Sequence, residues 1–316
     1  MGTRTHSPKG AYVIHEVKFE TASQFFDFIS PWGDDPMLDG FIFRGHSKES
    51  YELTPTALRL QTNSQLWSMS GLGRPEDQWD WQSWQIKAEY HLLRAFYRLA
   101  DQRGLDVPAS IRVRQNLAQE FDTVDLIGHH KQDVWLPPDL HETAALAQHY
   151  GVPTRLLDWT YDIYVSAYFA FRGAIGLDGN LAIWALNKEY LSFLKPTVNR
   201  VNVEFITPHY SQNPNLNAQK GLFTLWPIVR DSTLNEVQRM STGAGALLTD
   251  RRPLDKLIFE NFEEETGFPI FKKFIIPCSE AKAACKILDK LGYDSSRIFP
   301  GYDGVAAQLT ERHKYS

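Results

Sequence analysis

Residues 40–47 read Gly40-Phe41-Ile42-Phe43-Arg44-Gly45-His46-Ser47. Three large apolar residues stand in a row between two glycines, which is the pattern of a short buried strand. Gly40–Arg44 is therefore predicted to be a strand that Gly45 ends. Strands recur on either side of it. Ala11–Phe19 alternates apolar and polar residues, as a half-buried strand does. Thr21 or Ser23 then caps a short helix through Ile29, with Phe25, Phe26 and Phe28 on its apolar face. The cluster PWGDDP (31–36) is a loop. Leu181–Leu186, Val201–Ile206, Gly221–Val229 and Phe271–Pro277 read as further strands. The last leads into a helix capped by Ser279 and closed by Gly292. Ser296–Phe299 reads as a final short strand and Asp303–Glu311 as a final helix.

Between these strands lies a helical block. Glu76–Asp101 carries Trp79, Trp84, Ile86, Tyr90, Leu93, Tyr97 and Leu99 near helical spacing, and Ser110–Ile127 repeats the pattern. Asp139–Tyr150 has Pro137 and Pro138 before it, Asp139 as cap, Glu142 in the capping-box position, and Gly151 and Pro153 just beyond. Asp162–Phe171 is one more apolar helix. The expected fold class is α+β: a mixed sheet with a helical insertion over residues 61–150, in one domain (11–316) behind a loose tail (1–10).

Composition narrows the function. The chain has 316 residues, 43 % hydrophobic and 22 % charged, with a formal net charge of −5. That balance disfavours nucleic-acid binding driven by the phosphate backbone. Two cysteines, Cys278 and Cys285, cannot build a disulfide framework or a four-cysteine zinc site. No apolar run of about 18 residues and no signal-peptide pattern occur, so a cytoplasmic protein without a membrane partner is expected. The phosphate-binding GxxxxGK[ST], the dinucleotide GxGxxG after a strand, HExxH, GxSxG and CxxC are all missing. Their absence removes the common nucleotide-hydrolase, dinucleotide-fold, zinc-protease and esterase readings.

Three segments carry candidate chemistry. Arg44 stands at the end of an apolar strand, where an unpaired guanidinium is very costly. It must meet a carboxylate, several carbonyls or an anionic ligand such as a phosphate. Gly45 beside it would let a ligand approach the backbone. The segment HYGVPTRLLDWT (149–160) packs His149, Arg155, Asp158 and Thr160 among apolar residues. Arg155 and Asp158 are three apart and placed to pair. Thr160 sits before the helix that begins at Asp162, either as a plain cap or beside free amides that bind an anion. His149 reads more simply as a helix-end histidine. Gln219, in NAQKGLFTLW (217–226), enters a strand through Gly221, where its amide serves a ribose hydroxyl or a loose strand end. Other groups read as structural. Trp67, Trp79, Trp81 and Trp84 suit helical packing, and Glu263, Glu264 and Glu265 a solvated face. His129 and His130 with Asp133 lack a third metal ligand, so no metal site is expected.

Taken together, FIFRGHS, YELTPTALR (51–59), AQHYGVPTRLLDWTYDIYVSAYFAF (147–171) and AQKGLFT (218–224) resemble the FRG domain family, named for the triplet formed here by Phe43, Arg44 and Gly45. The resemblance runs from about residue 20 to 225, with a looser tail to about 305. The same order of segments more distantly resembles ADP-ribosyltransferases of the Arg–Ser–Glu type. That resemblance implies NAD as substrate and a bacterial toxin or phage-defence setting. In this correspondence Arg44 grips a phosphate or ribose hydroxyl, with Gly45, His149, Arg155 and Asp158 around the dinucleotide. Thr160 supports Arg44, and Gln219 bonds the ribose 2′-hydroxyl. The motif departs from that family in two ways. Asp158-Trp159-Thr160 replaces Ser-Thr-Ser and sets a carboxylate near the phosphates that Arg155 would neutralise. Gln219 replaces the acid, with Asn217 two positions before it. Transfer to protein arginine is therefore not expected; another protein group, a nucleobase, a small molecule or water stays open as the acceptor. The alternative is a non-enzymatic FRG binding module in which Arg44 and Asp158 form a structural ion pair. A third reading, nucleic-acid processing through Arg94, Arg98, Arg155 and His149, is disfavoured by the acidic balance.

Overall fold

The computed structural model describes residues 14–32, 38–59, 63–72, 81–108, 114, 134–194, 203–226, 228–229, 251–261 and 269–315. Its strands are β1 (Ile14–Lys18), β2 (Phe41–His46), β3 (Val134–Trp135), β4 (Leu157–Thr160), β5 (Asn180–Asn187), β6 (Glu204–Ile206), β7 (Gly221–Leu225), β8 (Ile228–Val229) and β9 (Phe271–Pro277). The helices are α1 (Ala22–Phe28), α2 (Asn63–Ser70), α3 (Trp81–Gln102), α4 (His141–His149), α5 (Ile163–Ala174), α6 (Lys188–Leu194), α7 (Pro214–Ala218), α8 (Leu254–Asn261), α9 (Ala281–Lys290), α10 (Ser295–Ile298) and α11 (Tyr302–Tyr315). Seven strands form one mixed sheet in the order β1-β9-β5-β2-β4-β7-β6; β1 runs parallel to β9 and the other pairs are antiparallel. Among the described residues no helix is long and apolar enough to cross a membrane.

Helix α5 (IYVSAYFAFRGA) is apolar over most of its circumference, so it must be enclosed. It packs on β2 and is covered by α9. Phe41 and Phe43 face this side with Phe25, Phe171 and Phe274. Ile42 alternates to the opposite side, among Leu53, Trp159, Trp184 and Leu257. Gly45 does not end the strand, which continues to His46. Its missing side chain is what α5 needs: a Cβ there would lie 2.0 Å from the Ser166 carbonyl oxygen and 2.9 Å from Ala170 N. The space expected for a ligand beside Gly45 is filled by helix backbone.

Several local expectations change. Thr21 does cap α1, its hydroxyl accepting from Gln24 N. The next two caps differ: 3-10 turns, Pro138–Leu140 and Cys278–Glu280, precede α4 and α9, and neither Asp139 nor Ser279 caps. Gly151 and Gly292, at φ 83° and 76°, do close these helices. Gly221–Val229 splits, because β8 leaves the main sheet to pair with β3. The helical block therefore contributes a strand of its own. Ser296–Phe299 is not a strand: Asp294 accepts from Arg297 N and starts the short helix α10. Trp67 is core, packed with Leu66, Ala88 and Leu92. Residues 1–10, Trp79, most of Ser110–Ile127, His129, His130, Asp133 and Glu263–Glu265 lie outside the described residues.

Candidate functional site

The middle of the sheet contains a seam. Strand β2 pairs with β5 along its whole length, Phe41–Asn187 to His46–Ala182, yet meets β4 only at Phe43–Thr160. Strand β4 in turn pairs fully with β7. Beyond Phe43–Thr160 the ladder between β2 and β4 stops, and the Arg44 side chain stands in its place. Its Nη1 donates to the Asp158 carbonyl at 2.8 Å, a backbone acceptor that a continuing ladder would have used. The same nitrogen reaches Asp158 Oδ2 at 3.2 Å, and Nε donates to His46 Nε2 at 2.9 Å. Among the described residues Nη2 has no hydrogen-bond partner. The Arg44 side chain is 15 % exposed and that of Asp158 57 %. The carboxylate therefore faces solvent.

His46 is buried, two residues along the same face of β2. Burial, and then the positive charge of Arg44, push its pKa down to about 3. It is thus a neutral imidazole that accepts from Arg44 at Nε2, which places its own proton on Nδ1. Tyr51 is half-exposed and packs edge-on against the His46 ring at 6.1 Å.

Two further segments converge here. Gln148 on α4 donates through Nε2 to Asp158 Oδ1, and Thr154 donates to Gln148 Oε1. The turn Thr56–Leu58 docks on Thr154, with Ala57 N donating to the Thr154 carbonyl at 3.0 Å. It ends on Arg59, whose Nε donates to the Thr54 carbonyl at 2.8 Å. Burial first, then Arg44, lower the Arg59 pKa, while Asp158 and Tyr51 oppose the shift. Arg44 and Arg59 therefore both feel the exposed Asp158 carboxylate. Tyr51, Arg59, Gln148 and Thr154 were not among the sequence candidates. Arg59 was visible, as the one cation closing the otherwise apolar and polar stretch LTPTALR.

Arg155 does not neutralise Asp158. It is buried on Glu89 of α3, with Nε–Oε2 at 2.6 Å and Nη2–Oε1 at 2.8 Å. Residues three apart share a face in a helix, but here the chain is entering a strand and the two side chains diverge. Glu89 also accepts from Trp135 Nε1 and from Gln85 Nε2, and Gln85 donates to the Ala57 carbonyl. Arg251 donates to Gln85 Oε1 and to the Leu58 carbonyl. This buried network fixes the turn that presents Arg59.

Thr160 and Gln219 are joined to one another. The Thr160 hydroxyl donates to the Gln219 carbonyl at 2.6 Å and accepts from Asp162 N at 2.9 Å. Asp162, not Thr160, is the cap of α5, accepting from Tyr164 N. Gln219 does not enter β7; it terminates α7, and its side chain donates to the Ile298 carbonyl at 3.3 Å. Thr160 lies two residues from Asp158, on the same face of β4. His149 is half-buried at the end of α4, 3.0 Å from Asn215 Nδ2, with its pKa lowered by burial against the pull of Asp158. Among the described residues no group of three or more His, Cys, Asp or Glu side chains is placed to hold a metal ion.

The arrangement can do one thing well: present a guanidinium with an unused donor, at a break in the sheet, to an anion arriving from solvent. Residues 39–176 match the FRG domain, so that β2, the Arg59 turn, α4, β4 and α5 all fall within it. No curated protein and no solved structure matches the chain.

Proposed function

We propose that the FRG domain of this chain binds a phosphate-bearing nucleotide at the seam between β2 and β4, with NAD as the substrate and ADP-ribosyl transfer or NAD hydrolysis as the reaction. One observation carries the reading. Arg44 interrupts the sheet, and among the described residues its one carboxylate partner is solvent-facing and its Nη2 has no partner. A guanidinium kept for folding alone would be expected to pair with an enclosed carboxylate, as Arg155 does through Nε and Nη2.

In this reading Arg44 takes a phosphate oxygen. The C1′–N bond to nicotinamide then breaks with its electron pair leaving on nicotinamide. The oxocarbenium-like ribosyl centre is captured by water or another acceptor, which gives up a proton. Thr160 acts as a positioning residue, since its hydroxyl holds the Gln219 carbonyl. Gln219 would exchange its contact with Ile298 for the ribose 2′-hydroxyl. Nicotinamide release from NAD by the full chain tests the proposal. The Arg44→Ala protein should remain folded and lose release by about a hundredfold or more. A folded Arg44→Ala protein that consumes NAD at the wild-type rate would refute it.

A second reading is favoured by the hydrogen bonds already made: Arg44 does pair with Asp158, and Thr160 and Gln219 have internal partners. The domain is then a non-enzymatic binding module. In that case no nucleotide raises the melting temperature and Arg44→Ala acts on folding alone.

A further inference from the structure

We infer that Gln148 is a positioning residue of the anion site: it holds one oxygen of Asp158 away from the Arg44 guanidinium and so keeps Nη2 open to a ligand phosphate. The inference rests on the nucleotide reading above and names the residue that sets the affinity of the site for its anion.

Three observations point to it. The first is how the Asp158 carboxylate is shared. An aspartate beside an arginine tends to close on it as a fork, each oxygen on its own nitrogen. Here only Oδ2 reaches Arg44, through Nη1 at 3.2 Å, while Oδ1 accepts from Gln148 Nε2. Among the described residues Nη2 is left without a partner. The second is the direction of the hydrogen bonds that hold Gln148. A carboxylate only accepts, so the amide must turn its NH2 group to Asp158 and its oxygen to Thr154. The Thr154 hydroxyl donates to that oxygen and itself accepts from Leu156 N at 3.2 Å. Every donor along this chain meets an acceptor in one orientation only. The third is anchorage. Thr154 is buried, and its carbonyl accepts from Ala57 N at 3.0 Å. The Asp158 side chain is more than half exposed, so packing does not fix it, and the bond from Gln148 decides where Oδ1 rests.

Without that bond Oδ1 can turn onto Nη2, and a phosphate would have to open a closed fork instead of meeting a free donor. The test is titration calorimetry of the full chain with ADP as probe, on the wild type, Gln148→Met, Asp158→Ala and the double variant, together with a crystal structure of ligand-free Gln148→Met. Gln148→Met fills the same space without a donor and should weaken ADP by about tenfold, the worth of one charge-assisted hydrogen bond. Gln148→Ala should act in the same direction. In the Asp158→Ala background the Gln148→Met change should matter by less than about twofold, because no carboxylate remains to be held back. In the crystal, the two Asp158 oxygens should lie on Nη1 and Nη2. Equal weakening in both backgrounds would mean that Gln148 serves packing alone and would overturn the inference, as would unchanged ADP affinity in folded Gln148→Met. The nucleotide reading fails separately, if the wild-type chain binds no ADP. The crystal then decides on Gln148: a closed fork upholds its holding role, and an Asp158 left in its wild-type position refutes it.

Discussion

Two arginine–carboxylate pairs lie close together in this fold and behave in opposite ways. Arg155–Glu89 is a two-pronged pair whose side chains are only 3 % and 4 % exposed, and Glu89 accepts from Trp135 and Gln85 as well. Arg44–Asp158 shares a single nitrogen between a carbonyl and a carboxylate, at 15 % and 57 % exposure. The first pair ties α3 to the start of β4 beneath the sheet. The second bridges the place where the sheet parts. A buried ion pair joined by two short hydrogen bonds is an anchor, because no ligand can reach it from solvent. A half-exposed pair with a donor to spare can exchange its partner at little cost. Identical chemistry thus separates into a structural role and the binding role proposed for Arg44 through enclosure alone.

The largest effect that sharpens this contrast is expected at Glu89. Glu89→Ala leaves Arg155 buried without a counter-charge and frees Gln85 and Trp135 as well, so it should cost about 3–5 kcal/mol of folding stability, read by chemical denaturation. A loss below about 1 kcal/mol would show that Arg155 finds water, and the contrast between the pairs would collapse. Next comes His46, the neutral acceptor for Arg44. Its folded pKa of about 3 lies below its unfolded value, so the unfolded chain takes up the proton first. The stability that a neutral His46 permits is complete above about pH 6.5 and is lost as pH falls toward 3, amounting to about 2–3 kcal/mol by pH 4. His46→Gln supplies an acceptor that does not titrate in this range, so the difference between the two proteins should shrink with acid. Parallel stability curves for both between pH 7 and pH 4 would break the assignment.

Much of the fold was legible from residues. The alternation at β1, the Thr21 cap, the aromatic run of β2 and the apolar surface of α5 each encode their element locally. What was not legible depends on distant partners. Gly45 looked like a place for a ligand because only the packed structure shows that Ser166 fills it. Asp158 was assigned to Arg155 because the two are neighbours in sequence; the extended backbone between them, and Glu89 some 66 positions away, decide otherwise. Gln219 read as a strand residue because nothing at that position signals that Asn213, accepting from Leu216 N, begins a helical turn whose end it closes. Of the site, Arg44 and Asp158 could be named from the sequence. Arg59, Tyr51 and Gln148 could not be placed, since their relevance comes from a break in strand pairing that no local pattern records.

The smallest effect, and the one most able to break the comparison, is expected at the exposed acid. Asp158→Asn retains the side-chain oxygen, one contact for Gln148 and the backbone carbonyl that Arg44 also uses. The ionic attraction and the 3.2 Å contact from Arg44 Nη1 to Oδ2 are removed, both at a group that water already screens, so folding stability should change by less than about 1 kcal/mol. Arg44→Ala should cost somewhat more, about 1–2 kcal/mol, because it also strips the Asp158 carbonyl and His46 Nε2 of their donor. A double-mutant cycle over Arg44 and Asp158 isolates the pair itself, and its coupling should be well under half of that measured for Arg155 and Glu89. Equal couplings would mean that solvent does not weaken the seam pair, and Arg44 would then be an anchor like Arg155, with no capacity to trade its carboxylate for a phosphate.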